Sequence, residues 1–600
     1  MAHLALVIDP DPARRERFAA GVRHLFAELP GVVPGEATAG DLTCVWAAGP
    51  RAPVDLHRDG DKLALLLGYA VDDAGRWLTA RQLADAWLAE DGNRTAQDGY
   101  HVGVAYDPER GLAAGVDPLG FFPLSHATPT EGVTLVATTP QALLAHPLVP
   151  WHVDRLGLAG ILLAHGLLDD RPLLTGASRL PMGRRVRAPA GGSLNEQQIF
   201  DFAGDSPPPG ETFAEARDRI AELLLAALRR HRPSGDDSLL MLSGGLDSRL
   251  VAGCLANLGI PTRAVTFGRP RDYEVRAATA VAARLGLTLE RISTEDSDGD
   301  FTDRMRQAAR FSQLSSGPGG DDFAVGLRAA TAARFSWSGI PFDWVFEPVS
   351  THNGYDSMTR TWSFDGLVSM VNTWGVPVAR LPALLGTDGD ALLGAVLGKL
   401  ERFCTTGPLP PERQSALARW DQRVRNHLAA ALHQTSFTAW PLMPATDRRF
   451  FRAVFGLPVA TFADRRLEQA ILINRRPDLA AIPLDTNSFA FEPLLPAGRG
   501  PGPLTRAARS LVRRLRRAAG RFVPGVDPRR YERLFDVDQP RWRDLRRAAE
   551  PLRPLLESHL DGRALAAILP PPERRLRSRS RLWAGSPIRL LCGLAFVLDP

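Results

Sequence analysis

The residues best equipped for chemistry stand together in Ser243-Gly244-Gly245-Leu246-Asp247-Ser248. The apolar run before them, from Ser238 to Leu242, is too short for a helix and long enough for a buried strand. Arg249 to Leu258 follows with helical spacing. A strand that turns through two glycines into a helix N-terminus aims several backbone N–H groups at one point. The positive end of the helix dipole adds to them, and the combination attracts phosphate. This is not a Walker A loop, which requires Gly-x-x-x-x-Gly-Lys-Ser/Thr, because no lysine stands here.

The Ser-Gly-Gly-x-Asp-Ser pattern resembles the pyrophosphate-binding loop of ATP pyrophosphatases, the family that contains asparagine synthetase. A second stretch extends the resemblance. Ser338-Gly339-Ile340-Pro341-Phe342-Asp343-Trp344-Val345-Phe346 stands where asparagine synthetases carry Ser-Gly-Glu-Gly-Ala-Asp-Glu-Leu-Phe, and Ser338, Gly339, Asp343 and Phe346 align without a gap. The resemblance implies ATP and Mg²⁺ as cofactors. The implied nucleotide contacts are Leu242, Ser243, Gly244, Gly245, Leu246, Asp247, Ser248, Phe267, Ser338 and Gly339, with Asp247 and Asp343 holding Mg²⁺ against the phosphates. The implied reaction is attack of a carboxylate on the α-phosphorus of ATP with loss of pyrophosphate. An amine then attacks the acyl-adenylate to give an amide.

Two departures matter. Ile340 replaces the family's glutamate, and also the tyrosine that β-lactam synthetases have there, so a base must come from Glu347, His352, Tyr355 or Asp356. The family's phosphate-contacting lysine is missing from Ile482 to Phe489, and the whole chain has only Lys62 and Lys399. Arg465, Arg466 or Arg475 is expected to substitute, although a guanidinium is not an equivalent proton donor. The candidate catalytic set is therefore Glu347, Tyr355, Arg465 and Arg466.

Upstream, Gln97 to Asp107, Gly115 to Leu124, Val136 to Leu144 and Leu180 to Gly183 look, in their order, like the N-terminal glutaminase domain of asparagine synthetases, an N-terminal-nucleophile fold. Its functional residues are replaced. Ala2 stands where the nucleophilic cysteine is expected, and its methyl cannot attack an amide. Leu67-Gly68-Tyr69 stands at the oxyanion-binding Asn-Gly-Glu, while Asp98 matches the glutamine-recognising aspartate. The expectation is an amide ligase without functional glutaminase, acting on a small-molecule or peptide carboxylate and a separate amine donor. Two forms are implied: asparagine formation from aspartate and ammonia, or a β-lactam or macrolactam closure on a larger substrate such as a precursor peptide. A non-catalytic relative that binds nucleotide or a partner is the reading from a different class.

These motifs need elements to hold them. Six hundred residues exceed one core. The fold class expected is α/β with two domains: a layered α+β sandwich of the glutaminase type over 1–205, and a doubly wound parallel sheet of the ATP pyrophosphatase type over 212–500. Residues 206–211 link them, and 501–600 form a basic helical extension. Strands are expected at 4–8, 63–67, 100–106, 111–116 and 133–138, with helices near 12–29, 80–88, 140–144 and 154–165. After the linker, helices at 212–231 and 272–285 and strands at 262–267 and 288–292 imply right-handed crossovers in a parallel sheet. A glycine cluster at 315–322 competes as a phosphate loop, and a helix is expected at 322–333. A net charge of +5 over this length does not argue for nucleic acid, and the arginine-rich runs 504–520 and 574–582 lack interleaved aromatics. Four scattered cysteines suggest buried thiols. No signal peptide or membrane span is evident, so a cytoplasmic protein is expected, and a homodimer is compatible with the family.

Overall fold

The computed structural model describes residues 2–89, 96–235, 238–293, 301–314, 333–346, 355–356, 361–462, 465–484, 492–495, 511, 535–576 and 585–599. The glycine cluster at 315–322, Glu347, His352 and nearly all of 504–520 lie outside them.

Among the described residues the first half contains twelve strands: β1 (Ala2–Ile8), β2 (Val33–Ala39), β3 (Leu42–Ala48), β4 (Val54–Asp59), β5 (Lys62–Val71), β6 (Asp98–Asp107), β7 (Gly111–Val116), β8 (Ser125–Thr130), β9 (Val133–Ala137), β10 (Ala177–Arg179), β11 (Arg184–Ala188) and β12 (Asn195–Gln198). They form two six-stranded antiparallel sheets, ordered β10-β8-β9-β1-β3-β2 and β12-β11-β7-β6-β5-β4. Period-2 alternation sorts their side chains. Leu4, Leu6, Cys44 and Trp46 face Leu65, Leu67, Val102 and Val104 in one shared core. The residues between them point outward. Ala5, Val7, Val45 and Ala47 meet Phe18, Val22 and Phe26 of helix Pro12–Ala27. Ala64, Leu66, Ala105 and Ala113 meet Leu83 and Trp87 of helix Ala80–Trp87. The result is four layers, helix on sheet on sheet on helix. Strands covered on both faces read as continuous apolar runs, and for that reason β1, β5, β6, β7 and β9 stood out in sequence. The polar edge strands β2, β4 and β12 did not.

The second half is built on a parallel sheet. Its strands are β13 (Ser238–Met241), β14 (Arg263–Phe267), β15 (Leu289–Ile292) and β16 (Phe335–Trp337). A short antiparallel pair, β17 (Tyr355–Asp356) with β18 (Thr361–Trp362), precedes the last strand, β19 (Trp440–Leu442). The order is β15-β14-β13-β16-β19, all parallel. Trp440-Pro441-Leu442 carries no strand signal of its own, yet it is the sheet's edge strand. A proline lacks a donor for the ladder, and an edge is where a sheet tolerates it. The chain moves outward from β13 to β15, then returns to β16 on the other side. The strand order therefore reverses between β13 and β16, and that crevice is where open α/β sheets bind ligands.

One core joins the halves, since the sandwich's inner faces share it with Leu240, Trp337, Trp440 and Phe450. Trp440 Nε1 donates to the Tyr100 carbonyl at 2.9 Å. The buried Tyr69 hydroxyl accepts from Met443 N at 2.9 Å and shares a hydrogen bond with His231 Nδ1 at 2.8 Å. A second core packs helix Arg155–Ala164 against helices Gly389–Thr406 and Ser586–Leu598. All four cysteines are buried and free. No helix among the described residues is long and apolar enough to cross a membrane.

Candidate active site

Both motif loops leave the carboxyl ends of adjacent strands, one after β13 and one after β16. Gly244 adopts φ +77°, and a Cβ there would lie 2.6 Å from Ala277 Cβ and from Ala278 N. Glycine is thus required twice at this position, for the left-handed turn and for the close approach of helix Tyr273–Leu285. Gly245 then caps helix Leu246–Asn257, whose first turn carries Asp247. The serines brace the turn. Their hydroxyls lie 3.0 Å apart, Ser248 Oγ accepts from Ser243 N at 3.2 Å, and Ser243 Oγ accepts from Gly245 N at 3.3 Å. Gly339 completes the pairing. A Cβ on it would stand 2.6 Å from Ser248 N and 3.0 Å from the carbonyl carbon and Cβ of Asp247. The two loops touch backbone to backbone.

They enclose a cleft of about 210 Å³, lined among others by Leu242, Ser243, Asp247, Ser248, Phe267 and Ser338, with Gly339, Ile340 and Asp343 on its far side. Thr266 also lines it, 1% exposed and with its hydroxyl lacking a hydrogen-bond partner. A buried hydroxyl left in that state is completed by a ligand or water.

The charges are arranged around Arg465. Its guanidinium donates to Asp247 Oδ1, and to Glu468 Oε2 from Nε at 2.9 Å and from Nη2 at 2.5 Å. Burial opposes its charge, but the Glu468 and Asp247 carboxylates outweigh that and raise its pKa. Glu468 is fully buried, and burial pushes its own pKa up against the pull of Arg465. Asp247 is pushed well up, first by burial and then by the Glu468 charge. Asp343 is pushed up to about 7, first by burial and then by the Asp247 charge. Two carboxylates that face one cleft and disfavour each other's charge fit a shared cation. Among the described residues no group of three or more His, Cys, Asp or Glu forms a complete metal cage. Such a pair matches Mg²⁺ held by one or two carboxylates together with substrate phosphates.

Of the other sequence candidates, Arg466 points elsewhere: its guanidinium lies 4.4 Å over the Phe213 ring. Arg465 is the N-cap residue, in the left-handed region at φ +57°, and Arg466 is the first residue of helix Arg466–Arg475, so the two side chains leave the backbone in different directions. Of Tyr355 only the backbone, in β17, is described. Arg475 pairs with Glu222 at 2.8 Å. In the sandwich, Asp98 accepts from Arg230 at 2.9 Å and from Arg448 at 3.0 Å, and Tyr69 is committed to Met443 and His231.

Three contributors were not foreseen. Glu468 sets Arg465, reaching back from the first turn of the helix to its N-cap residue. Arg249 is wholly buried and donates to the carbonyls of Gly244, Leu479, Ile482 and Pro483 at 2.6–3.0 Å, tying the loop to the segment after helix Arg466–Arg475. Leu428, Leu432 and Thr435 close the cleft from a helical run with no motif at all.

With this geometry in place, comparison with known proteins gives one family match. Residues 219–336 match the family model described as asparagine synthase, a span that takes in the first loop and ends two residues before Ser338. No curated protein matches the chain. Among solved structures, NMN synthetase from Francisella tularensis is similar at 12% identity, over 38% of this chain and 96% of that chain, with a TM-score of 0.19. At that TM-score the likeness carries nothing further.

Proposed function

We propose, starting from a chain that carries an asparagine synthase domain, that it is an ATP-dependent carbon–nitrogen ligase: it activates a carboxylate as its adenylate, releases pyrophosphate and joins the acyl group to an amine. The observation that carries this reading is the contact of the two loops at the switch point, which sets Asp247 and Asp343 on one cleft beside the glycine turn. In this reading the Ser243–Ser248 turn and the following helix N-terminus bind the β- and γ-phosphates and orient the α-phosphorus toward the acid. Mg²⁺, held by Asp247 and Asp343, would neutralise phosphate charge. Arg465 stands where it can turn from Asp247 to a phosphate oxygen, and Glu468 keeps its other edge fixed. A guanidinium prepositioned in a buried site stabilises developing charge without reorganising water.

The division that goes with this function is a glutaminase-like sandwich over 1–205, a linker over 206–211, a synthetase domain over 212–500 and its basic helical extension over 501–600. An amine taken directly, rather than released from glutamine, is supported by the engagement of Asp98 and Tyr69 in the contact between halves. The ion pair that already occupies Asp247, together with the missing lysine, favours a second reading, a nucleotide-binding relative that makes no amide. ATP–pyrophosphate exchange separates the two. With aspartate and acidic peptides as acids, exchange is expected from the wild type and should be lost in Asp247→Ala. Absence of exchange with every acid, or exchange indifferent to that change, refutes the ligase.

A further inference from the structure

The outermost strands of an open sheet turn unpaired N–H and C=O groups to the outside, and folded chains blunt such edges with brevity, proline or charge. Among the described residues most edges are blunted in this way. β10 and β12 have three and four residues, β2 carries Pro34, β19 carries Pro441, and the four residues of β15 expose Glu290 and Arg291. β4 is the exception. It is a six-residue edge strand without proline or glycine, Val54-Asp55-Leu56-His57-Arg58-Asp59, and Val54 and Leu56 are 41% and 39% exposed. Its arginine does not guard the edge, because Arg58 Nη2 turns inward and donates to the Thr38 carbonyl of β2 at 2.6 Å.

The ladder decides which groups of β4 face outward. Gly68 N donates to the Pro53 carbonyl at 2.8 Å, and the register that sets Val54 against Leu67 sets Pro53 directly against Gly68. Bonding alternates along an antiparallel pair. Asp55, His57 and Asp59 therefore bond to β5, while Val54, Leu56 and Arg58 turn their N–H and C=O to the open side. A second β4 laid antiparallel can pair only where outward residues meet outward residues. A two-fold axis at Asp55 sets that carboxylate against its own copy. An axis at His57 sets Asp55 against Asp59 twice. An axis at Leu56 opposes Leu56 to Leu56, Val54 to Arg58 and Asp55 to His57, and only this register opposes no like charges. Asp55 Oδ2 accepts from Ala80 N at 2.7 Å, which leaves Oδ1 for the imidazole of the second copy.

We propose that β4 is an interface between two copies of this chain, paired antiparallel with Leu56 on the two-fold axis, so that two six-stranded sheets join into one of twelve strands. The contact is isologous, each copy offering the same patch. Three outward residues on each strand supply about six main-chain hydrogen bonds. Leu56 is covered by its own copy, and Val54 by the alkyl stem of the second copy's Arg58. A strand pairing of this extent is small for a permanent dimer, so the two copies exchange with monomer as concentration changes. Every described residue that lines the cleft belongs to the second half of the chain, and the interface therefore stands or falls apart from the ligase reading.

Sedimentation equilibrium of the full-length protein tests this. The wild type should show a monomer–dimer equilibrium. His57→Asp, which sets an acid against Asp55 twice, should raise the dissociation constant roughly tenfold or more, and His57→Lys should lower it. Leu56→Pro removes an N–H that faces outward, which an edge strand tolerates. It should abolish the dimer while melting like wild type in dilute solution, where both are monomers. The register has its own readout. Directly opposed residues of a hydrogen-bonded pair have Cα atoms about 5.5 Å apart, within disulfide reach. Leu56→Cys should therefore cross-link two chains under mild oxidation, Val54→Cys should not, and the four native cysteines are buried. A wild type that stays monomeric at every concentration overturns the proposal. So does a dimer indifferent to both His57→Asp and Leu56→Pro, which would place the contact elsewhere. Cross-linking through Val54→Cys but not Leu56→Cys refutes the register and the pairing built on it.

Discussion

The approach of the two loops makes Gly339→Ala the most exacting test of the site. The added methyl would sit 2.6 Å from Ser248 N and 3.0 Å from two atoms of Asp247. Carbon prefers roughly 3.5–4 Å to its neighbours, so the loops must separate by about 1 Å. The obstructing atoms belong mainly to the backbone of a helix's first turn, which cannot rotate aside as a side-chain tip would. Overpacking of this kind costs about 1–3 kcal/mol of stability. A misplacement of about 1 Å between groups that must act together costs on the order of 100-fold in rate. Denaturant melts and ATP–pyrophosphate exchange, run on the same preparation, should show a modest loss of stability beside a near hundredfold loss of exchange. Gly394→Ala is the control. Gly394 is exposed within helix Gly389–Thr406 with nothing within 4 Å of its missing Cβ, so alanine there should stabilise by roughly 0.5–1 kcal/mol. If Gly339→Ala melts and exchanges like wild type, the loops do not meet as described and the shared site falls with them.

The phosphate loop was legible because its determinants are local. Two glycines, two hydroxyls and a carboxylate within six residues describe a turn wherever the chain places it. The parallel sheet was legible for a similar reason: apolar runs recur at the spacing of strand, helix and strand. What could not be read was set by distance in sequence. Trp440-Pro441-Leu442 has neither the length nor the composition of a strand, and only pairing with β16 makes it one. Arg465 and Arg466 were interchangeable as letters. The left-handed backbone of Arg465 sends it to Asp247, while Arg466, the first helical residue, lies over Phe213. Glu468 and Arg249 carry no motif, because their role is to hold other residues rather than a ligand. Helix Arg155–Ala164 read as an ordinary buried helix, and its partners lie more than 200 residues downstream.

Two further perturbations probe the joint between the halves and the charge of the cleft. Tyr69→Phe leaves the Met443 N–H buried without its acceptor and removes the bond to His231. It should cost about 1–3 kcal/mol in a denaturant melt, and a loss under ~0.5 kcal/mol would show that the tyrosine does not fasten the halves. Asp343→Asn tests the carboxylate pair through pH. Asp343 has a folded pKa of about 7 against an ordinary 3.8, so between those values the folded chain binds more protons than the unfolded chain. The stability it contributes is fully present below about pH 4 and is lost as pH rises through about 7. The asparagine variant should therefore melt close to wild type near pH 4 and increasingly above it as pH rises to about 7, and a gap that does not change with pH refutes the assignment. Magnesium should act in the opposite sense, stabilising wild type more near pH 8 than near pH 5, because the carboxylate pair that repels itself when ionised is the pair a divalent cation would hold.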